Sequence, residues 1–327
     1  MRIILFTLFL SGSFVPPLAA MKGDSICIFF WNVENLFHPD HDSLREDLEF
    51  TPGGDRHWSF YRYYSKISRT WKVIMSFDPV PPAIIGLAEV ENEQVMKDLW
   101  KYSPFGKLAY RFIHQESDDR RGIDVALAYD PSRVELLDSC LIKVDLSVMG
   151  GGKTRDILYA KFGFGNDSLH LFVNHWPSKY GGAGYSEPYR MKAAAILLRE
   201  IDNLREKEAE ARIVCMGDFN DSRDSRSMQL LVNNNELTIL QLEAEDAPGT
   251  VKYQGKWEFI DHMVISSGWF SNRGEIRTGR AGVYSPAFLL EKDEKYGGMK
   301  PYRTWNGYSF REGFSDHLPV FLWIIRD

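Results

Sequence analysis

Four short stretches, far apart in the chain, each set a carboxylate, an amide or an imidazole beside an apolar run. They are Trp31-Asn32-Val33-Glu34-Asn35, Leu87-Ala88-Glu89-Val90, Met216-Gly217-Asp218-Phe219-Asn220-Asp221 and Phe314-Ser315-Asp316-His317. Ile26 to Phe30, Ile84 to Leu87 and Ile213 to Met216 read as buried strands. Polar groups placed where such strands end converge on one rim of a sheet. Carboxylates crowded there repel one another unless a cation joins them. That pattern belongs to a metal-dependent hydrolase.

Asn32 and Glu34 are two apart, so extended backbone points both to one face. An amide beside a carboxylate suits a hard cation that prefers oxygen; the plainer reading is that Asn32 caps a turn. Glu89 ends a buried run and reads as a ligand, with Glu91 and Glu93 as acids at a helix start. Asp218 and Asn220 again share a face, while Phe219 points into packing and Asp221 lies off it. A carboxylate there can orient or deprotonate water, and an amide can donate to a phosphoryl oxygen. Gly217 permits close backbone approach. Neighbours on a strand face opposite ways, so neither Asp261-His262 nor Asp316-His317 is its own dyad. The match crosses strands: Asp261 orients His317, Asp316 is free to help hold a metal, and His262 packs or makes a structural hydrogen bond. His175 opens His175-Trp176-Pro177-Ser178-Lys179, with Gly181-Gly182 beyond; a hydroxyl, a cation and glycines are useful around phosphate. Lys179, Arg190, Arg120, Arg121, Lys153 and Arg155 lie in or beside these loops, most of them as solvated surface.

The elements that must carry these groups mix strands and helices throughout. Strands are expected at 26–31, 83–88, 122–129, 134–144, 157–164, 169–174, 213–216, 257–265 and 318–325. Helices are expected from Phe60 to Phe77, with Ile67, Trp71 and Ile74 on one face, and from Glu187 to about Lys207. Loops are expected at 52–54, 150–152, 181–184 and 297–307. The strand-rich run from Arg111 to Asn174 argues against a simple alternating parallel fold and for two packed mixed sheets with helices outside. The boxes run from residue 32 to residue 317, so 21–327 reads as one domain.

The 327 residues are 44% hydrophobic and 14% aromatic, the composition of a packed globular chain, with a net charge of −6. An acidic chain is not built for sequence-blind attraction to a polyanion. Residues 1–20 resemble an export signal: Arg2, an apolar run from Ile3 to Val15, then Leu18-Ala19-Ala20. The run is short for a membrane span. Met21 followed by Lys22 is an alternative start that would leave the protein in the cytoplasm. Three cysteines, Cys27, Cys140 and Cys215, cannot all pair within one chain; Cys27 and Cys215 read as buried free thiols.

Taken in order, the boxes resemble the endonuclease/exonuclease/phosphatase superfamily. It includes deoxyribonuclease I-like nucleases, abasic-site endonucleases, sphingomyelinases and inositol polyphosphate 5-phosphatases. The W-N-V-E-N-L-F run from Trp31 and H-W-P-S from His175 look most like its secreted bacterial members. The resemblance implies a four-layer α/β sandwich, two mixed sheets face to face between helices. It implies magnesium, or manganese, on Glu89, with Asn32, Glu34 and Asp316 completing or supporting the metal site. It further implies that Asp218 positions and activates water and Asn220 holds a phosphoryl oxygen. Asp261 then orients His317 against the phosphate, and His175 contacts phosphate and assists the leaving oxygen. The expected substrate is a phosphate ester, with DNA or RNA the leading candidates. Inositol phosphates or sphingomyelin are the second enzymatic option, and a non-catalytic binding module on the same scaffold is the third. No stable protein partner is implied, and no integral membrane segment after the signal.

Overall fold

A computed structural model of the chain describes residues 25–102, 109–179, 181–233, 236–244, 246–270 and 275–326. The export-signal reading of residues 1–20 and the alternative start at Met21 lie outside the described residues.

Two six-stranded mixed sheets carry the fold. Their strands are β1 (Ser25–Leu36), β2 (Ile84–Val90), β3 (Arg111–His114), β4 (Asp124–Tyr129), β5 (Glu135–Ile142), β6 (Ile157–Phe164), β7 (Asp167–His175), β8 (Ile213–Asp218), β9 (Leu237–Ile239), β10 (Asp261–Ser266), β11 (Ile276–Val283) and β12 (Val320–Arg326). The first sheet runs β11-β12-β1-β2-β4-β3 and the second β5-β6-β7-β8-β10-β9. Helices α1 (Phe60–Ser76) and α2 (Glu93–Lys101) serve the first sheet; α3 (Ala183–Lys207) and α4 (Arg226–Val232) serve the second.

The period-2 side-chain pattern builds the layers. In the second sheet Leu171, Val173, Val214, Met216, Met263 and Ile265 join the core between the sheets. Their neighbours Phe172, Ile213, Cys215 and Val264 pack instead with Ala193, Ala194, Leu197 and Ile201 of α3 and Met228 and Leu231 of α4. Helical spacing on α3 matches strand spacing on the sheet beneath it. The sheets meet closely at Gly86, where an added Cβ would lie 2.7 Å from Met216 Cε of the facing sheet.

Each sheet has one parallel pair at its centre. β1 and β2 are joined through α1, β7 and β8 through α3. A helical crossover returns the second strand in the same direction, so both carboxyl ends of each pair lie on one rim. β10 and β12 run antiparallel to their neighbours and start at that rim. This topology gathers distant boxes.

Several elements differ from the sequence reading. The run 257–265 is broken: Lys256–Glu258 pairs in a hairpin with Val251–Tyr253, and the sheet strand starts only at Asp261. Between them the Ile260 carbonyl accepts from Phe219 N at 2.9 Å. Helix α3 begins four residues early, with Pro188 inside it; a missing donor near a helix start costs one hydrogen bond close to solvent. Strand β12 starts after Pro319, which has no N–H for the ladder. Glu91 does not serve as a helix-start acid. It is buried, takes the His38 N–H at 2.7 Å, and burial first, then Asp47, pushes its carboxyl up to about 8. Asn92 caps α2 instead, accepting from Val95 N. Cys27 and Cys215 are buried free thiols and Cys140 is exposed.

Candidate active site

The second sheet supplies a row of three groups. His175 pairs with Asp218 in the β7–β8 register, and Asp218 with Asp261 in the β8–β10 register. Gly217 makes this row possible: a side chain there would run into the Asn174 carbonyl. The first sheet faces the row with Asn32 from β1, Glu89 from β2 and His317 just ahead of β12. Asn32 Nδ2 bridges the layers, donating to Glu89 Oε1 at 3.1 Å and Asp218 Oδ2 at 3.0 Å.

Backbone distortion aims these groups. Glu34, Asn35, Glu89 and Asn220 all hold positive φ, between 51° and 64°. The β1–β2 register shifts between Asn32 and Leu36, and the β2–β4 register between Ala88 and Val90. Bulges of this kind end pairing and turn side chains out of the pleat, and strained residues cluster at functional sites. The bulge also overturns the expectation that Asn32 and Glu34 share a face. Glu34 turns away to accept from Thr304 N at 2.6 Å, Trp305 N at 3.3 Å and the Arg303 guanidinium at 3.2 Å. Arg303 also donates to Asp316 Oδ2 at 2.9 Å. Glu34 and Asp316 are therefore tied together by Arg303, beside the Asn32–Glu89 pair rather than inside it.

His317 Nδ1 lies 2.9 and 3.1 Å from the two oxygens of buried Asp261. Its Nε2 faces Asp218 Oδ2 at 3.7 Å. Ser315 Oγ accepts the His317 N–H at 3.0 Å and donates to the Asn32 carbonyl at 2.7 Å. The Trp31 indole donates to the His317 carbonyl at 2.9 Å. The imidazole thus sits on a backbone clamped to β1. Burial disfavours its cation, but Asp261 and then Asp218 outweigh it and raise its pKa well above the ordinary value. Asp218 is the counterpart: burial first, then Asp261, pushes its carboxyl up to about 7 against the pull of His317. Asp218 Oδ1 accepts Asn220 N at 2.9 Å.

His175 Nε2 lies 3.6 Å from Asp218 Oδ2 and 3.9 Å from Glu89 Oε1. Its Nδ1 is buried without a hydrogen-bond partner. Burial, then Arg155 and Arg121, hold it well below the usual histidine range, so the ring is neutral. Asn220 Nδ2 donates to the Trp176 carbonyl at 3.0 Å, which also receives Arg155 Nη2 at 2.7 Å. One amide hydrogen of Asn220 remains for a ligand. Phe219 packs edge-on against Trp176, and His262 Nε2 meets the Asp221 carbonyl at 2.9 Å on the far side of the strand. Of the basic residues considered, Arg190 is bound to Asp221 at 2.7 Å and Lys179 to Glu258 at 3.2 Å.

Lys66 and Arg303 had no place in the sequence reading. Lys66 is buried, its ammonium donating to Thr304 Oγ1 and the Phe314 carbonyl. Burial lowers its pKa to about 8 against Glu34, Asp316 and Glu89. Burial and Asp316 raise Glu34 to about 7, opposed by Lys66 and Arg303. Part of the charge among the clustered acids is thus neutralised by the chain itself, which weakens the argument that only a metal could join them. A lysine three residues after Tyr63 on the apolar face of α1 was a readable signal. Arg303 gave none, lying in a loop.

Two donor groups could hold a cation. Asp218, Asp261 and His317 offer atoms within 4.8 Å of one another, but His317 Nδ1 is already engaged by Asp261, the arrangement of an acid–base relay. Glu89 and Asp316 offer carboxylate oxygen, the donor chemistry of magnesium or manganese and not of zinc, whereas Asn32, expected as a ligand, turns its Nδ2 to Glu89 while its Oδ1 accepts the Glu34 N–H at 3.0 Å. The residues present fit such an ion.

A profile of the Endonuclease/Exonuclease/phosphatase family matches residues 27–326. No curated protein matches the chain. Solved structures of like fold include an endonuclease/exonuclease/phosphatase family protein from Bacteroides thetaiotaomicron, 14% identical over 93% of this chain and 98% of that one, TM-score 0.57. A mannosyl-6-phosphatase from the same organism is 13% identical over 92% and 99%, TM-score 0.57. D. rerio TDP2 in complex with a single strand DNA product is 17% identical over 92% and 99%, TM-score 0.55. Identities this low speak for the fold; the family follows from the match along nearly the whole chain. The chain belongs to the endonuclease/exonuclease/phosphatase family of phosphate-ester hydrolases.

Proposed function

We propose that the chain is a magnesium-dependent phosphodiesterase, with manganese able to substitute, acting on nucleotide phosphate esters. The observation that carries this reading is the Asp218–His317–Asp261 relay set within 3 Å of the Asn32–Glu89 pair, at 3.0 Å from Asn32 Nδ2 to Asp218. Glu89 would hold the cation, Asn32 would orient the Glu89 carboxylate, and Asp316 and Glu34 would support the site with Arg303 between them. When bound, the ion draws charge from the phosphoryl oxygens and lowers the pKa of water.

The remaining work falls to side chains. Asp218, its carboxyl near 7, accepts a proton from the attacking water at neutral pH. His317, kept cationic by Asp261, donates to a phosphoryl oxygen as charge grows there. Asn220 presents its free amide hydrogen to another. Neutral His175 donates from one nitrogen toward the phosphate or the leaving oxygen.

A phosphomonoesterase is the second reading, favoured by the net charge of −6 and by the fold shared with a mannosyl-6-phosphatase. Rates on bis(p-nitrophenyl) phosphate and p-nitrophenyl phosphate separate the two. The diester should be preferred, chelator should abolish hydrolysis, and added magnesium or manganese should restore it. Asp218→Ala should lose about two to three orders of magnitude, the usual cost of one fixed catalytic donor. Metal-independent turnover, or full activity in Asp218→Ala, would overturn the assignment. We also propose that residues 1–20 direct export; among the described residues no helix is long and apolar enough to cross a membrane. Amino-terminal sequencing of the secreted and cytoplasmic fractions tests this.

A further inference from the structure

One of the basic residues flanking the site is not a surface charge. Arg155 is buried, just ahead of β6, the antiparallel neighbour of β7. Its guanidinium ties the two sheets together at the rim where the catalytic groups gather. Nη1 donates to Asp119 Oδ2 at 3.2 Å, in the loop between β3 and β4 of the first sheet. Nη2 donates to the Trp176 carbonyl at 2.7 Å, on the first residue past β7 of the second sheet. Asp119 is a firm anchor. Its carbonyl accepts from Arg45 Nη1 at 2.9 Å and from Gly122 N at 3.1 Å, its N–H meets Ser117 Oγ at 3.2 Å, and its Oδ1 accepts Arg121 N at 3.0 Å.

The other end of the tie bears on the chemistry. A carbonyl oxygen has two lone pairs, and the second one on Trp176 takes Asn220 Nδ2 at 3.0 Å. The Trp176 N–H donates to the Asp218 carbonyl at 2.9 Å, so this residue is fixed on both sides. With its carbonyl pinned, the Asn220 carboxamide keeps its nitrogen toward Trp176 and turns one N–H outward. Stability alone does not account for an arginine here. A buried guanidinium costs several kcal/mol of hydration that its partner often fails to offset, and Arg155 Nε has no hydrogen-bond partner among the described residues. A planar fork, unlike an apolar chain or a single ammonium, reaches two acceptors at a fixed angle.

We infer that Arg155 is a positioning residue: by fixing the Trp176 carbonyl against Asp119, it sets the Asn220 carboxamide for contact with a phosphoryl oxygen. The inference rests on the phosphoesterase reading above, in which Asn220 makes that contact. Arg155 acts through Trp176 and does not itself touch substrate.

The test is a double-mutant cycle on bis(p-nitrophenyl) phosphate hydrolysis. Arg155→Ala should lower kcat about 10- to 100-fold, because a misplacement of about 1 Å costs up to about a hundredfold, while KM changes little. In an Asn220→Ala background the same substitution should cost less than about threefold, since the group it positions is gone. Arg155→Lys keeps the cation but not the fork; it should lose more than about threefold, and it carries the test if Arg155→Ala does not fold by circular dichroism. The side-chain amide NMR signals of Asn220, identified by their loss in Asn220→Asp, give a readout that needs no turnover. Arg155→Ala should shift them and speed their exchange with water. A folded Arg155 variant with parental kcat overturns the inference, as do equal losses in the parent and Asn220→Ala backgrounds, or amide signals that stay in place. If the parent itself shows no metal-dependent hydrolysis, the phosphoesterase reading fails, and the amide signals still decide whether Arg155 holds Asn220.

Discussion

Asp261→Asn should leave the fold intact and cripple the chemistry. Both Asp261 oxygens lie within 3.1 Å of His317 Nδ1, and the group is buried. The amide keeps the size but loses the charge that sustains the imidazolium. A charge-assisted hydrogen bond becomes a neutral one, a loss of about 1–2 kcal/mol. The Coulomb attraction lost is at most about 4 kcal/mol for unit charges roughly 4 Å apart at an effective dielectric near 20. A combined loss of about 2–4 kcal/mol at the transition state is about 30- to 1000-fold in rate. Stability should fall too, but by less, because the resting fold loses the same charge-assisted bond and is relieved of one repulsion. Asp261 and Asp218 are directly opposed in the β8–β10 register, and like charges placed so destabilise a strand pair by up to about 1 kcal/mol. The assay is initial-rate hydrolysis of bis(p-nitrophenyl) phosphate at saturating magnesium, with Tm read in parallel. kcat should fall steeply, KM change little, and Tm fall only modestly. A folded Asp261→Asn protein turning over within threefold of the parent would refute the relay.

Gly217→Ala forces a Cβ against the Asn174 carbonyl, so it should cost more than about 2 kcal/mol by urea unfolding and disturb the His175–Asp218 pairing. Glu34→Gln faces the Thr304 and Trp305 N–H groups with a half-amide and leaves Arg303 held by Asp316 alone; limited trypsin digestion should then cut faster after Arg303, with about 1–3 kcal/mol of stability lost. Asp124 supplies a pH prediction. Burial raises its carboxyl to about 7 against two bonds from Ser117, while His114, lowered to about 4 chiefly by burial, lies 3.9 Å away with Nε2 unpartnered. A folded-state pKa above the unfolded value of roughly 3.9 means stability is present at low pH and lost as pH rises through 7. Asp124→Asn removes that dependence and gives His114 a donor, so its Tm advantage over the parent should grow from pH 5 to pH 8. An advantage that shrinks over that range contradicts the assignment.

Much of the fold was legible because periodicity survives without tertiary information. The alternation of Ile213 to Met216 and the spacing of Ile67, Trp71 and Ile74 each state which face must be covered, and those residues are buried. Strand alternation set aside Asp261-His262 as its own dyad and pointed across strands, and Asp261 does meet His317. What failed depended on departures from regular backbone. The same-face reading of Asn32 and Glu34 assumed extended φ and ψ, and the bulge in β1 breaks that assumption. The strand expected from Trp257 divides because the Ile260 carbonyl accepts from Phe219, just past β8, and the Ile260 and Asp261 N–H groups donate to Thr250 Oγ1. Glu91 read as a helix-start acid because sequence pattern shows an acid's neighbours along the chain and not the Asp47 and His38 around it.

The sequence by itself determined the layered class and the polar groups at strand ends, and it pointed the Asp–His match across strands. Only the tertiary structure decided which acids share a hollow and that Arg303 and Lys66 temper them. The reason is physical. A repeat along the chain is set by local geometry, whereas charge balance and cavities arise between segments hundreds of residues apart, such as Glu34 and Thr304.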